Sequence, residues 1–186
     1  YIHRGKKLGR GSAVIAGIKE ILYNSEVNII IEIDTDLSHD PSEIPENLKK
    51  FKRENLDLLI SSRYLKESRI LNWSLNRRLF SHFANFLTRI FLGVPVSDYT
   101  NGFRIYSRKA AVHITKNCGL IGNGFMILSE ILVELYYNKF KIAETKTIWR
   151  NRVRGKSTVT LKLILDSLIE LFKIYERKKR IKLNKL

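Results

Sequence analysis

The run V-N-I-I-I-E-I from Val27 to Ile33, followed at once by D-T-D-L-S-H-D-P, constrains the fold more than any other part of this 186-residue chain. A short, nearly all-apolar segment reads as a strand covered on both faces, and such strands occur where helices flank a sheet. The chain alternates around it. Glycines 9, 11 and 17 punctuate a preceding helix candidate whose apolar positions are Ala13, Ile15, Ala16, Ile18, Ile21 and Leu22. After it, Asp40 reads as an N-cap, with Pro41 at the first helical position and Glu43 three residues past the cap. L-D-L-L-I-S-S-R-Y, residues 56 to 64, reads as a second buried strand. Helix, strand, helix, strand means an α/β sheet with at least some parallel strands.

Carboxylates gathered directly behind a buried strand are unexpected in a chain of net charge +16. In open α/β sheets the carboxyl ends of the strands are where ligands bind. Asp34 and Asp36 are one residue apart, so in an extended chain they point the same way and can share one hard cation. A divalent ion there would hold a diphosphate and offset its charge as it leaves. A D-x-D pair alone is also compatible with a simple solvated loop.

Composition bounds the partners. The length and 44% hydrophobic content suit one domain with a proper core. A single cysteine, Cys118, excludes an internal disulfide framework and reads as a small core residue. Of the positive charge, a net +9 lies between Arg150 and Leu186, where 12 Lys/Arg face Asp166, Glu170 and Glu176. Such polarised charge implies an anionic partner: nucleic acid, lipid headgroups or phosphorylated substrates. No helix-turn-helix, RNP or zinc-finger pattern supports nucleic acid. No apolar run approaches the roughly 20 residues that cross a bilayer. Trp73 and Trp149 read as packing or interface anchors, and the four histidines lack the spacing of a metal site, with only His39, read as a loop residue, near the acidic pair.

Seven segments taken in order are more specific: L-G-R-G-S-A-V-I-A-G, I-I-I-E-I-D-T-D-L-S-H-D-P, L-L-I-S-S-R-Y, N-W-S-L-N-R-R, S-D-Y-T-N-G-F-R-I-Y, G-F-M-I-L-S-E-I-L and R-V-R-G-K-S-T. Together they resemble the dolichol-phosphate mannosyltransferase group of inverting, family-two glycosyltransferases, from Lys6 to about Thr158. The resemblance implies a GT-A type, Rossmann-like mixed sheet flanked by helices, with the catalytic part over 1–158 and an amphipathic helix with a basic tail over 159–186. It implies that Asp34 and Asp36 hold Mg²⁺ or Mn²⁺ and the diphosphate of a nucleotide-sugar donor, with Ser38 where relatives often carry a glutamine ligand. Arg63 and Arg77 match arginines associated with a polyprenyl phosphate acceptor, and Asp98 matches an acidic position that orients the sugar or an arginine, as Glu130 does. Arg152, Gly155 and Ser157 match a phosphate-binding motif. Thr158 and Met126 stand where relatives have lysine. The donor implied is GDP-mannose, with UDP-glucose as the variant, and a catalytically inactive adaptor of the same fold is the other reading.

The phenylalanine-rich segment Asn72 to Leu92 resembles that family's membrane-surface helix, although Leu75, Leu79, Phe83, Phe86 and Ile90 suit core packing equally well. The last segment reads as an apolar helix running into a cationic stretch, either a second interfacial element or a solvated tail. The place implied is peripheral, on the cytoplasmic face of a membrane, with room for a separate anchoring subunit. Relatives carry a first strand and a P-x-x-N-E turn upstream of the L-G-x-G segment. The expectation is therefore a fragment lacking its first βαβ part, with weakened donor binding.

Overall fold

The computed structural model describes residues 3–6, 9–24, 26–122, 124–151 and 161–184. In chain order the elements are α1 (Arg10–Asn24), β1 (Ile29–Glu32), a 3₁₀ turn (Pro41–Glu43) running into α2 (Ile44–Arg53), β2 (Leu58–Ser62), β3 (Arg69–Leu71), α3 (Leu75–Leu92), β4 (Arg104–Ser107), α4 (Arg108–Asn117), α5 (Ile127–Tyr137), β5 (Ile142–Lys146), β6 (Ile148–Arg150) and α6 (Leu161–Leu183). Four strands form a mixed sheet in the order β1-β4-β2-β5. Only β4 runs against the others: it is antiparallel to β1 and to β2, whereas β2 and β5 are parallel. β3 and β6 form a separate parallel pair.

The alternation of side chains along β2 divides the core into two layers. Leu58 and Ile60 face one cluster, with Ile18 of α1, Ile114 of α4, Leu128, Ile131 and Leu132 of α5, and Ile174 of α6. Leu59 faces the other, with Phe51 of α2, Leu56 and Ile105. All five residues of β2 are buried, as a strand covered on both faces requires.

Several boundaries differ from the sequence reading for identifiable reasons. β1 is shorter than Val27–Ile33 because its ladder with β4 closes at Glu32↔Arg104, while the Asn28 carbonyl turns to the Arg108 amide at 2.9 Å. α3 starts at Leu75, not Asn72: Asn72 takes φ 60°, and Ser74 then caps the helix by accepting from the Arg77 amide at 3.4 Å. Asp40 does cap its turn, accepting from the Ser42 amide at 3.0 Å. Glu43 does not complete a reciprocal box. Its carboxylate accepts from the Thr147 hydroxyl (2.7 Å) and the Ile148 amide (2.8 Å), tying the start of α2 to the β5–β6 turn.

The cationic end is helical through Leu183 and not a loose tail. Its anchor is Ile174, fully buried, together with Arg177, which pairs with Glu130 at 3.0 Å and Glu134 at 2.8 Å on α5. Glu130, expected to orient the sugar or an arginine of the site, thus forms a structural salt bridge between α5 and α6.

Candidate active site

The topology decides where the site lies. β1, β2 and β5 run the same way, so the segments leaving their C-terminal ends emerge on one side, and the segment entering the antiparallel β4 begins there too. Those segments carry D-T-D-L-S-H, S-R-Y, T-I-W-R and S-D-Y-T-N-G-F. The fold thus gathers motifs that are far apart in the chain.

Asp98 is the fixed point of the entry to β4. It is completely buried, and its carboxylate accepts from the Arg63 amide (3.0 Å), Arg63 Nε (2.8 Å), Arg63 Nη2 (2.8 Å), the Thr100 amide (3.1 Å) and the Asn101 amide (3.0 Å). Burial alone would raise its pKa, but the charge and hydrogen bonds of Arg63 outweigh that and hold it below the ordinary carboxylate range. Arg63 reciprocates: despite burial, the Asp98 charge raises its pKa, and its Nη2 also donates to the Thr100 hydroxyl at 2.8 Å. Glu144 of β5 supports the same loop by accepting from the Ser97 (2.8 Å) and Asp98 (3.0 Å) amides. On the far side, Arg104 is fully buried and donates to the carbonyls of Tyr99, Asn101 and Leu128, which pins the loop to α5.

A chain of hydrogen bonds joins this loop to the acidic pair. Asn101 donates from its side chain to the Ser61 carbonyl, and its Oδ1 meets His39 Nε2 at 2.8 Å. His39 Nδ1 accepts from the Asp34 amide at 3.3 Å, so in the neutral ring the proton sits on Nε2 and is donated to Asn101. Leu37 takes φ 63° in the intervening turn. Ser38 is buried and donates both its amide (3.1 Å) and its hydroxyl (2.5 Å) to Asp36 Oδ1, so its hydroxyl serves to orient that carboxylate. The Ser38 carbonyl in turn accepts from the Arg150 amide of β6 at 3.0 Å.

Asp34 faces Arg10, at the N-terminus of α1. Arg10 Nη2 lies 3.0 Å from Asp34 Oδ1 and 3.1 Å from Glu32 Oε1, and Tyr106 donates to the other Glu32 oxygen at 2.8 Å. Arg77 lies beyond Arg63. Its guanidinium stacks 4.2 Å from the Trp73 ring centroid, and Nη1 reaches Asn151 Oδ1 at 3.4 Å. Trp73 meets Trp149 of β6 edge-on at 4.7 Å, and Arg63 lies 5.8 Å from the Trp73 ring. Asp34, Asp36, Ser38, Arg63, Arg77 and Asp98 therefore belong to one contiguous constellation. Arg152 and Ser157, with Gly155 and Thr158, lie outside the described residues.

The donor set fits a particular kind of metal site. No group of three or more His, Cys, Asp or Glu side chains that could hold an ion occurs among the described residues. Magnesium-like ions are held by one or two carboxylates and take the rest of their shell from substrate phosphates and water. Asp34 and Asp36 suit an ion that arrives with its diphosphate, not a closed structural site.

Sequence reasoning passed over Arg10, Asn101 and Glu144 and gave His39 and the tryptophans only structural roles. Arg10 becomes visible only in the fold. A Cβ on Gly102 would come within 1.8 Å of Arg10 Nη2, so the G-F pair ahead of β4 is the gap through which that arginine reaches the acids.

Residues 1–115 match the model for glycosyl transferase family 2. The chain is 31% identical over 175 residues to the dolichol-phosphate mannosyltransferase of Pyrococcus furiosus, a match that covers 93% of this chain and 47% of that protein. It is 29% identical over 175 residues to the polyprenol monophosphomannose synthase of Mycolicibacterium smegmatis, covering 94% and 64% respectively. The chain thus spans about half to two thirds of the length of these relatives. Among solved structures, glucosyl-3-phosphoglycerate synthase of Mycobacterium tuberculosis with Mg²⁺ and UDP superposes with a TM-score of 0.59 at 15% identity, over 91% of this chain and 57% of that one. The same enzyme with Mn²⁺, UDP-glucose and phosphoglyceric acid gives 0.58 at 16% identity, over 88% and 55%. These structures share the fold; the family is fixed by the sequence match over more than half the chain, and the chain belongs to glycosyl transferase family 2.

Proposed function

We propose that this chain carries the site of a metal-assisted transferase that moves mannose from GDP-mannose to a polyprenyl phosphate, with inversion, at the cytoplasmic surface of a membrane. The observation that carries the reading is a juxtaposition. A carboxylate pair and two arginines meet at one end of the sheet, and Arg77 sits on a helix, α3, whose apolar side faces outward. An acceptor that is a phosphate at one end and a long hydrocarbon at the other needs both. The names of the two curated relatives point to the same acceptor class.

The residue chemistry agrees. A phosphate monoester oxygen is already anionic at neutral pH, so no strong general base is required to make a nucleophile. Arg77 offers a permanently charged, planar fork to its oxygens, and Arg63 is held charged and oriented by Asp98. Arg152 and Ser157 are assigned further phosphate contacts. Asp34 and Asp36 would hold Mg²⁺ or Mn²⁺, which when bound offsets the charge of the departing nucleoside diphosphate. Direct displacement from an α-linked donor then gives a β-linked product.

Membrane contact would be made by α3, where Arg77, Arg78 and Arg89 accompany the outward apolar residues, and by α6, where Leu165, Leu168, Ile169 and Phe172 are exposed ahead of a basic stretch. No helix among the described residues is long and apolar enough to cross a membrane. The test is transfer of labelled sugar from GDP-mannose, and in parallel from UDP-glucose, to a short polyprenyl phosphate with Mn²⁺, using Asp36→Asn as control. Label in the lipid phase from GDP-mannose, lost in the control, is the expected result. Label from UDP-glucose instead would move the donor assignment, and none from either would overturn GDP-mannose transfer by this chain in favour of another donor or an inactive adaptor of the same fold.

A further inference from the structure

Arg10 is 22% exposed as a side chain and is held between Glu32 and Asp34, the second of which is one of the two carboxylates assigned to the metal. Its position is built, not incidental. It opens α1 behind Gly9, passes over Gly102 where a side chain would collide with it, and meets a Glu32 already oriented by the Tyr106 hydroxyl. Its Nε is buried without a hydrogen-bond partner among the described residues, so the guanidinium is not fully satisfied where it rests. Both Asp34 oxygens face it, at 3.3 and 3.0 Å.

A dication cannot take full charge from a carboxylate whose two oxygens already face a guanidinium. We propose that Arg10 is the resident counter-cation of Asp34 and competes with the metal for it, so that a divalent ion binds tightly only together with an anionic diphosphate that compensates both cations. The inference rests on the metal-assisted reading and adds an order to it: metal and donor load as a pair. A lone ion is disfavoured by Arg10. A diphosphate brings the negative charge that lets the ion and the guanidinium share the site, a positive coupling between two ligands at neighbouring positions.

The test measures Mn²⁺ dissociation constants by electron paramagnetic resonance, with and without saturating GDP or UDP, for the protein and three variants. In the unaltered protein Mn²⁺ alone binds weakly and the nucleotide tightens it. Arg10→Gln should tighten Mn²⁺ alone by about tenfold, the scale on which groups contacting a metal ligand alter affinity, and should shrink the tightening that the nucleotide adds. Arg10→Lys keeps the charge and should stay close to the parent. Gly102→Ala leaves Arg10 in the chain but pushes its guanidinium off the acids, and should shift Mn²⁺ affinity in the same direction as Arg10→Gln. Thermal midpoints of all four confirm that a folded protein is being measured, and Gly102→Ala decides the matter if Arg10→Gln does not fold. Unchanged or weaker Mn²⁺ binding in folded Arg10→Gln and Gly102→Ala, beside a parent that does bind Mn²⁺ with nucleotide, overturns the competition. A parent that binds no Mn²⁺ even with either nucleotide overturns the metal reading itself.

Discussion

α2 and α3 are both amphipathic, and they are mounted in opposite senses. α2 turns Phe51 and Leu48 toward the sheet and presents Lys49, Lys52 and Arg53 to solvent. α3 turns Asn85 and Thr88 inward and presents Leu75, Leu79, Phe83, Phe86 and Ile90, each 59–70% exposed. The polar side of α3 is a fitted surface. Ser81 meets the Tyr64 hydroxyl at 2.5 Å, Asn85 Oδ1 accepts from the Tyr99 amide at 2.9 Å, and His82 lies against the Tyr64 ring. α2 is held by apolar packing, whereas α3, apart from Leu92 buried at its C-terminal end, is held by hydrogen bonds to the two loops that carry Arg63 and Asp98. A helix docked through its polar side keeps its apolar side available to something outside the chain.

The sharpest way to break this contrast is to truncate one phenylalanine on each helix. Phe51→Ala should cost about 3–5 kcal/mol, the usual range for emptying a buried phenylalanine site, whereas Phe83→Ala should fall within about 0.5 kcal/mol of the parent. Urea unfolding midpoints measure both. A large loss at Phe83 would mean that α3 is packed apolar side inward in solution.

A second difference is pH dependence. α3 rests on a loop organised by Asp98, whose folded pKa lies below its unfolded value. A depressed carboxylate adds stability that is fully present above the unfolded pKa, near 4, and is lost as pH falls through the folded one. Asp98→Asn leaves Arg63 without its counter-ion and should cost about 3 kcal/mol at pH 7, in the range for breaking a buried pair. It should also flatten the acid limb of the stability curve below about pH 4, which unfolding at stepped pH would show. An acid limb unchanged by the substitution would assign it to other carboxylates.

Asn85→Ala is the α3 counterpart of Phe51→Ala, with a smaller expected effect. It strands the Tyr99 amide in a buried place and should cost about 1–3 kcal/mol, the desolvation penalty of an unpaired group. On a conventionally mounted amphipathic helix the same exchange of a polar residue for alanine would be neutral or helpful. Hydrogen exchange at the Tyr99 amide gives a local reading of the same bond.

The contrast also shows what the chain disclosed before its structure. The fully buried β2 and the alternation with helices followed from apolar runs and turn residues. β1, read as covered on both faces, is instead an edge strand of the four-stranded sheet with only Ile30 buried, and Arg63 and Asp98 were joined to Asp34 and Asp36 only through the family resemblance. The sense of α3 followed from neither, because helical periodicity gives the existence of an apolar stripe and not its direction. That direction is set by Tyr64 and Tyr99, which are remote from most of the helix in sequence. Arg10 was hidden for a similar reason: its partners are 22 and 24 residues away, and its passage depends on a glycine 92 positions later. Partners carried by other elements declare themselves only once the topology is known.

The smallest expected change in stability carries the most functional weight. Phe83→Ser with Phe86→Ser alters two side chains, each 59% exposed. The unfolding midpoint should therefore stay within about 0.5 kcal/mol of the parent. If the outward side of α3 meets a lipid surface, the same pair should lose most of the protein's retention on vesicles containing anionic lipid, because insertion strength follows the apolar area buried at the interface. Retention of the parent should fall with salt through the contribution of Arg77, Arg78 and Arg89. A further arm with Lys49→Gln and Lys52→Gln on α2 separates general charge from the face itself, since those lysines are exposed and cationic but accompany an apolar side that is turned to the sheet. Vesicle binding lost in the lysine arm and kept by the phenylalanine pair would reduce the membrane contact to net charge. Loss confined to the phenylalanine pair, at unchanged stability, would mean that α3 is mounted outward in order to meet lipid.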